Sequence, residues 1–240
     1  MRRIEGATEL LDGPLDDALL EGNLRDLERA NRWLGGSSLS WRALGHVLAE
    51  TPPQTALSLL DVGTGGADIP RALVARSKRA SRAVIVRAVD IRKEIVALAR
   101  RRSAHMPEIE VELVGEGHLE LADDSFDVVH ASLVLHHLDP PSAARLLAEM
   151  ARVARRAVIV NDLVRARRWW LAALLLSRLA TGNRYTRHDA PLSVQRAYLP
   201  VEVAGMAATV GLRPWLQLHG RLGHRYAIVL RHDESVTRRP

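Results

Sequence analysis

Residues 59–70 read LLDVGTGGADIP. Their first half completes a short apolar run, ALSLLDV (56–62), which glycines bring to a stop; IPRALVARSKRA (69–80) then resumes at helical spacing. A strand feeding a helix through a glycine turn is the opening unit of a doubly wound sheet. Glycine permits positive φ there and lets a ligand approach backbone N–H groups at the strand's carboxyl end.

Reading outward, the pattern repeats. AVIVRAVD (83–90), IEVELVG (109–115), FDVVHAS (126–132) and AVIVNDL (157–163) read as strands, with IRKEIVALARRRS (91–103) and PSAARLLAEMARVAR (141–155) as helices between them. Strands rich in Val and Ile that alternate with helices make a parallel sheet covered on both faces, so the expected fold is α/β and doubly wound. Upstream, residues 15–34 place Leu20, Leu24 and Leu27 at helical spacing, Gly35-Gly36 ends that helix, and Ser37 to Ser40 are positioned to cap a second one running to about Glu50. Thr51-Pro52-Pro53 stops it, which makes 1–54 a helical cap.

Downstream, RARRWWLAALLLSRLA (165–180) reads as a helix, TGNRYTRHDAPLSVQR (181–196) as a polar loop, and VEVAGMAATVG (201–211) as another helix. LRPWLQLHG (212–220) and HRYAIVLRH (224–232) are strands joined so tightly that they must be antiparallel. The residues from Asp233 read as a frayed tail. The expected organisation is one domain over 1–240: the cap at 1–54, a core at 55–163, a lid or acceptor region at 164–200, and the last helix and strands at 201–232.

Composition narrows the chemistry. The 240 residues are 47% hydrophobic and 26% charged, with no cysteine, which excludes disulfides, thiolate metal sites and a cysteine nucleophile. No apolar run approaches the ~18 residues of a membrane span, and MRRIEGATELLDG lacks the apolar core of a secretory signal, so a cytoplasmic protein is expected. Net charge is 34 − 28 = +6 and the pI is about 10.6. The arginines are dispersed from Arg2 to Arg239 and aromatics make up only 4%, which fits a solvated surface better than a nucleic-acid groove.

Asp90 ends the second strand, where a carboxylate can accept both hydroxyls of an adenosine ribose. A dinucleotide motif would need glycine at Asp68, and an acid at that helix entrance repels a pyrophosphate. S-adenosylmethionine carries an amine and a sulfonium instead, cations with which Asp61 and Asp68 are compatible. No phosphate-binding G-x-x-x-x-G-K-[ST] motif occurs. The bland alternative is a tight turn whose Asp90 caps a helix.

LLDVGTGGADIP, Asp90 in AVDI, and DDSFDVVHASLVLHHLDP (123–140) together make the chain resemble the class I S-adenosylmethionine-dependent methyltransferases, in their methyltransferase-11 or UbiE-like branch. The resemblance spans residues 56–162. It implies a mainly parallel seven-stranded sheet with an antiparallel C-terminal pair and S-adenosylmethionine as cofactor. It assigns Asp61, Gly63, Gly65, Asp90 and Glu116 to cofactor binding. Ala67 stands where the family has a third glycine, and Glu116-Gly117 replaces its usual Asp-Ala.

Methyl transfer needs an acceptor in line with the methyl and a base when the acceptor's pKa is high. His136 and His137 after the fourth strand and Asp162 at the end of the fifth fall on the crevice side, so a histidine there is a candidate base, with packing against the cofactor as the alternative. His130, inside the fourth strand, reads as buried. In the polar stretch, His188 is a further catalytic candidate and Arg187, Asp189 and Arg196 are candidates for acceptor binding; an arginine–aspartate network tying this segment to the core is the competing reading.

The expected acceptor is a small, hydroxylated, aromatic or hydrophobic metabolite, with O-methylation ahead of C- or N-methylation and of RNA or protein targets. No metal is expected, since no carboxylate spacing suggests a divalent site. The chain is expected as a monomer or homodimer without an integral membrane segment; peripheral membrane contact through Trp169, Trp170 and the adjoining leucines competes with a lid role.

Overall fold

The alternation of buried side chains along each strand builds the molecule. The computed structural model describes residues 1–115 and 117–233. In β1 (Leu57–Val62), Leu57 and Leu59 enter one apolar cluster and Leu60 and Val62 the opposite one, because successive side chains leave a strand on opposite faces. The same division recurs in β5 (Ala154–Leu163), where Ile159 faces one side and Val158 and Val160 the other. β2 (Val84–Asp90), β3 (Ile109–Leu113) and β4 (Phe126–Ser132) complete a parallel set.

The first face is covered by α2 (Gly36–Ala49), α3 (Asp68–Arg79) and α4 (Lys93–Ser103), and the second by α5 (Pro140–Val153) and α8 (Pro200–Thr209). The strand order is β3-β2-β1-β4-β5-β7-β6. β7 (Arg225–His232) runs antiparallel to both β5 and β6 (Leu212–His219), so the expected antiparallel pair is present with the last strand inserted between its neighbours. The seven-stranded, mainly parallel doubly wound sheet is as expected.

Two local readings are corrected. Residues 184–196 are a helix, α7 (Arg184–Arg196), where a polar loop was expected. Asn183 caps it by accepting from the N–H groups of Tyr185 and Thr186, and burial of Tyr185 and Val194 outweighs the helix-breaking Pro191 inside it. The serines at 37–40 do not cap α2; that helix starts at Gly36, behind Gly35 at φ +91°, and buries Ser37 and Ser40. The helix expected over 165–180 is α6 (Arg167–Ala180), and α1 (Asp17–Trp33) packs Leu20 and Leu24 on Ile95 and Leu98 of α4.

A buried polar chain fastens the helical cap to the sheet. Arg225 of β7 donates to Asn31 Oδ1 (2.6 Å), Asn161 Oδ1 (3.1 Å) and Ser132 Oγ (3.0 Å). Asn161 donates onward to the Gly36 carbonyl and Ser40 Oγ, and Ser40 meets His130 Nε2 at 2.9 Å. Gly36 is glycine because a Cβ there would lie 2.5 Å from both Arg225 Nη1 and Asn31 Oδ1. Since both groups are held by hydrogen bonds in the interior, Gly36→Ala should lower unfolding free energy by about 2 kcal/mol. Urea denaturation checks it: the midpoint falls and the slope is unchanged.

Candidate active site

The sheet's strand order reverses between β1 and β4, and ligands of doubly wound folds bind at the carboxyl ends of strands at such a point. A cavity of about 920 Å³ lies there, lined by Asp61, Gly63, Gly65 and Asp90 from β1, β2 and the turn between them, and by side chains from α1, α6 and α7. Its size lies near the upper end of the range for small-molecule sites.

The glycine turn adopts the backbone its sequence suggests. Gly63 and Gly65 have φ of +67° and +55°, and a Cβ on Gly63 would come within 2.6 Å of Val134. Ala67, where the family has glycine, also takes a left-handed φ of +55° at the start of α3 and is fully buried. Asp90 accepts from the N–H groups of Gly65 (3.0 Å) and Arg92 (3.1 Å), so it ties the turn to the end of β2. Burial pushes the Asp90 carboxyl up, against those N–H groups. Asp68 lies at the entrance of α3, with its pKa raised chiefly by burial and its carboxylate held by Asn31 at 2.9 Å.

Asp61 has a partner that the sequence did not reveal. His130 Nδ1 lies 2.6 Å from Asp61 Oδ1. The carboxylate places the proton on Nδ1, which leaves Nε2 to accept from Ser40. His130 is buried as expected, and its use is to orient Asp61 at the cavity floor. The two face one another directly across β1 and β4 in the sheet register, which was the available signal.

His136 and Asp162 come together as expected. His136 Nδ1 is 2.8 Å from Asp162 Oδ1, which also accepts from the Leu163 N–H at 2.7 Å. Burial would raise the Asp162 pKa; His136, the Leu163 N–H and the charge of Arg225 overcome it and hold the carboxyl below its ordinary range. His136 Nε2 faces Glu9 Oε1 at 3.7 Å, and the residue lines the cavity. His137 meets Asp12 through Nδ1 at 2.9 Å and Glu9 at 3.8 Å. Burial opposes its charge, but Asp12 and Glu9 prevail and raise its pKa to about 8.

The remaining candidates divide. Asp189 is buried on the cavity side, but its carboxylate is occupied by the N–H groups of Leu10 and Leu11, at 2.8 and 3.1 Å. Arg196, also buried, donates to the carbonyls of His136 and His137 and meets Asp12 at 3.2 Å, so it fixes the turn that carries both histidines. These contacts are the network reading. His188 is 49% exposed, bonded to Asp189, and outside the cavity lining. Arg187 is exposed and donates to the carbonyls of Thr181 and Arg178. Glu116 lies outside the described residues.

Folding also gathers a set of metal-type donors that sequence spacing hides. Glu9, His136 and His137 offer ligand atoms within 4.8 Å of one another, a histidine–carboxylate combination that divalent transition metals use. Asp12 already holds His137 Nδ1 at hydrogen-bonding distance, so the cluster is also complete as a charge network. Glu9 had no sequence signal at all, since it reaches the histidines only through the packing of the N-terminal segment on α7, where Ser193 donates to it at 3.0 Å.

Residues 60–160 match the family described as methyltransferase domain. Over that stretch, less than half of the chain, the protein is similar to this family. A Streptomyces fradiae protein described as an uncharacterized 37.1 kDa protein in transposon TN4556 is 33% identical over 156 residues, which is 64% of this chain and 43% of that one. The chain therefore spans less than half the length of the curated relative it matches. Among solved structures, a SAM-dependent methyltransferase from Aquifex aeolicus has a TM-score of 0.63 at 20% identity, covering 92% of this chain and 100% of that one. Magnesium protoporphyrin IX methyltransferase from Synechocystis, crystallised with SAH, gives 0.59 at 15%, covering 92% and 90%. Human N-acetylserotonin methyltransferase, in complex with SAM, gives 0.64 at 15%, covering 90% and 56%. At these identities the likeness is one of fold.

S-adenosylmethionine is the cofactor of the methyltransferases that this chain resembles, and the residues present fit it. The left-handed glycine turn exposes backbone to the cavity, two buried carboxylates, Asp61 and Asp90, line it, and the volume leaves room for an acceptor alongside.

The raised pKa of His137 has a consequence for stability. A histidine whose folded pKa exceeds its unfolded one contributes stability that is complete below about pH 6.5 and lost as pH rises through about 8. The shift corresponds to about 2 kcal/mol. Unfolding free energy should fall by about that amount between pH 6 and 9, and His137→Asn should flatten the profile.

Proposed function

We propose that the protein transfers a methyl group from S-adenosylmethionine to a hydroxyl of a small, hydrophobic, aromatic metabolite. The observation that carries this reading is the shared cavity: the glycine turn with Asp61 and Asp90 lines it, and the imidazole of His136, oriented by Asp162, belongs to the same lining. Bound there, the cofactor supplies a methyl on a cationic sulfur, an electrophile that requires an electron-rich acceptor held in line.

Asp61, Asp90 and the turn hold the cofactor, with Asp61 kept in place by His130. His136 Nε2 takes the proton of the acceptor hydroxyl, and the ionised Asp162 stabilises the imidazolium that results. Leu11, Leu27, Val134 and Leu176 supply apolar wall around the acceptor and exclude water, which supports an aromatic or aliphatic body behind the hydroxyl. The segment 164–200, with α6 and α7, forms the acceptor wall. His188 and Arg187 have no part in this chemistry.

The test uses labelled S-adenosylmethionine with a panel of phenols, quinols and hydroxylated metabolites. His136→Ala should lower turnover by about 10²–10⁴-fold, with cofactor affinity by calorimetry unchanged. His188→Ala should keep turnover. Full activity in His136→Ala removes the base from this reading, and heat from NADH with none from S-adenosylmethionine removes the reaction.

A further inference from the structure

α6 is a wall one helix thick. Trp169, Ala172, Ala173, Leu176 and Ala180 line the cavity, while Leu171, Leu175 and Leu179 recur every four residues on the exposed outer side. Leu179 is 84% exposed. At the cavity mouth, Trp33 at the end of α1 (75% exposed) and Leu222 in the β6–β7 turn extend the apolar surface. Several large apolar side chains exposed on one helix and beside one cavity mark a contact site.

Charge indicates what covers it. From Leu163 to His188 the sequence contains six arginines and no acid. Arg165 is buried against Glu202, and Arg187 is used on backbone carbonyls. Arg167, Arg168, Arg178 and Arg184 are exposed and, among the described residues, have no carboxylate within ion-pair distance. Arg168 instead lies 5.0 Å over the ring of Trp169. A second copy of this chain docking by the same face would bring arginines against arginines. An anionic lipid surface satisfies both features at once, because the leucines and Trp33 enter the acyl boundary and the arginines reach the headgroups.

We propose that the outer face of α6 docks the protein on an anionic lipid bilayer and sets the cavity mouth against it. The docking stands on this surface alone. One consequence rests on the proposed function: the hydroxylated acceptor is a lipid-phase molecule that enters the cavity from the bilayer.

Vesicle co-sedimentation without cofactor or acceptor tests the docking, so its outcome is independent of whether methyl transfer occurs. The protein should sediment with mixed phosphatidylglycerol–phosphatidylcholine vesicles and scarcely with phosphatidylcholine alone, and added salt should weaken binding. Arg167→Gln and Arg178→Gln should each weaken it about fivefold. Arg79→Gln, at the far end of α3 on the opposite edge of the sheet, should leave it unchanged. The double variant Leu175→Ser/Leu179→Ser keeps the charge and should weaken binding by at least about tenfold, with its thermal unfolding as the control for folding. Absence of vesicle binding overturns the proposal, as does an equal loss in Arg79→Gln, which would mark general charge attraction. A dimer in light scattering that Leu179→Ser dissociates, with no vesicle binding, would assign the face to a second copy.

Discussion

The guanidinium of Arg225 is the constraint around which the molecule is arranged. It is buried, burial lowers its pKa to about 10, and its three bonds go to neutral oxygens on three separate parts of the chain. A cation withdrawn from water is tolerated only when its donors are satisfied. Asn31, Ser132 and Asn161 must therefore converge, and their convergence fixes α1, the end of β4 and β5 relative to β7. Asn161 then passes the constraint to α2, and Ser40 passes it to His130 and Asp61. The cavity floor is the far end of that chain of bonds.

The histidines are partitioned by the acids beside them. His130 is tied to Asp61, His136 to Asp162, and His137 to Asp12. The first pair is closed on both ring nitrogens by Asp61 and Ser40, so it is suited to positioning. The second leaves one nitrogen facing Glu9 at 3.7 Å in the cavity, beyond hydrogen-bonding reach, and so suited to proton transfer. The third holds charge near neutral pH. Three similar side chains thereby acquire different uses from their neighbours alone.

Much of this was legible in the sequence for a definite reason. β1, β4 and β5 are buried on both faces over most of their length, so each shows as a short, mainly apolar run, and the glycines of residues 63–66 mark where the run of β1 must end. The His136–Asp162 pair could be foreseen because His136 lies in the turn after β4 and Asp162 near the end of β5, its parallel neighbour. What failed to show depends on contacts between distant segments. α7 has a weak local helical pattern and a proline in its middle, and its helix is secured by packing on the N-terminal segment. Glu9 joins the histidines, and Arg196 supports them, only after that packing has formed. The polar density of residues 183–198 goes largely into internal bonds made by Arg196 and Asp189.

The position of Arg225 in the chain bears on how the protein is made. Among the described residues, every group its side chain binds precedes it, and the nearest in sequence, Asn161, is separated from it by four elements, α6, α7, α8 and β6. A ribosome delivers the N-terminal part first. The nascent chain thus carries the glycine turn, the histidines and most of the parallel sheet while the oxygens awaiting the guanidinium are still open to water. Completion of the pocket is a late event in biosynthesis, reached only when the final strand slides in beside β5.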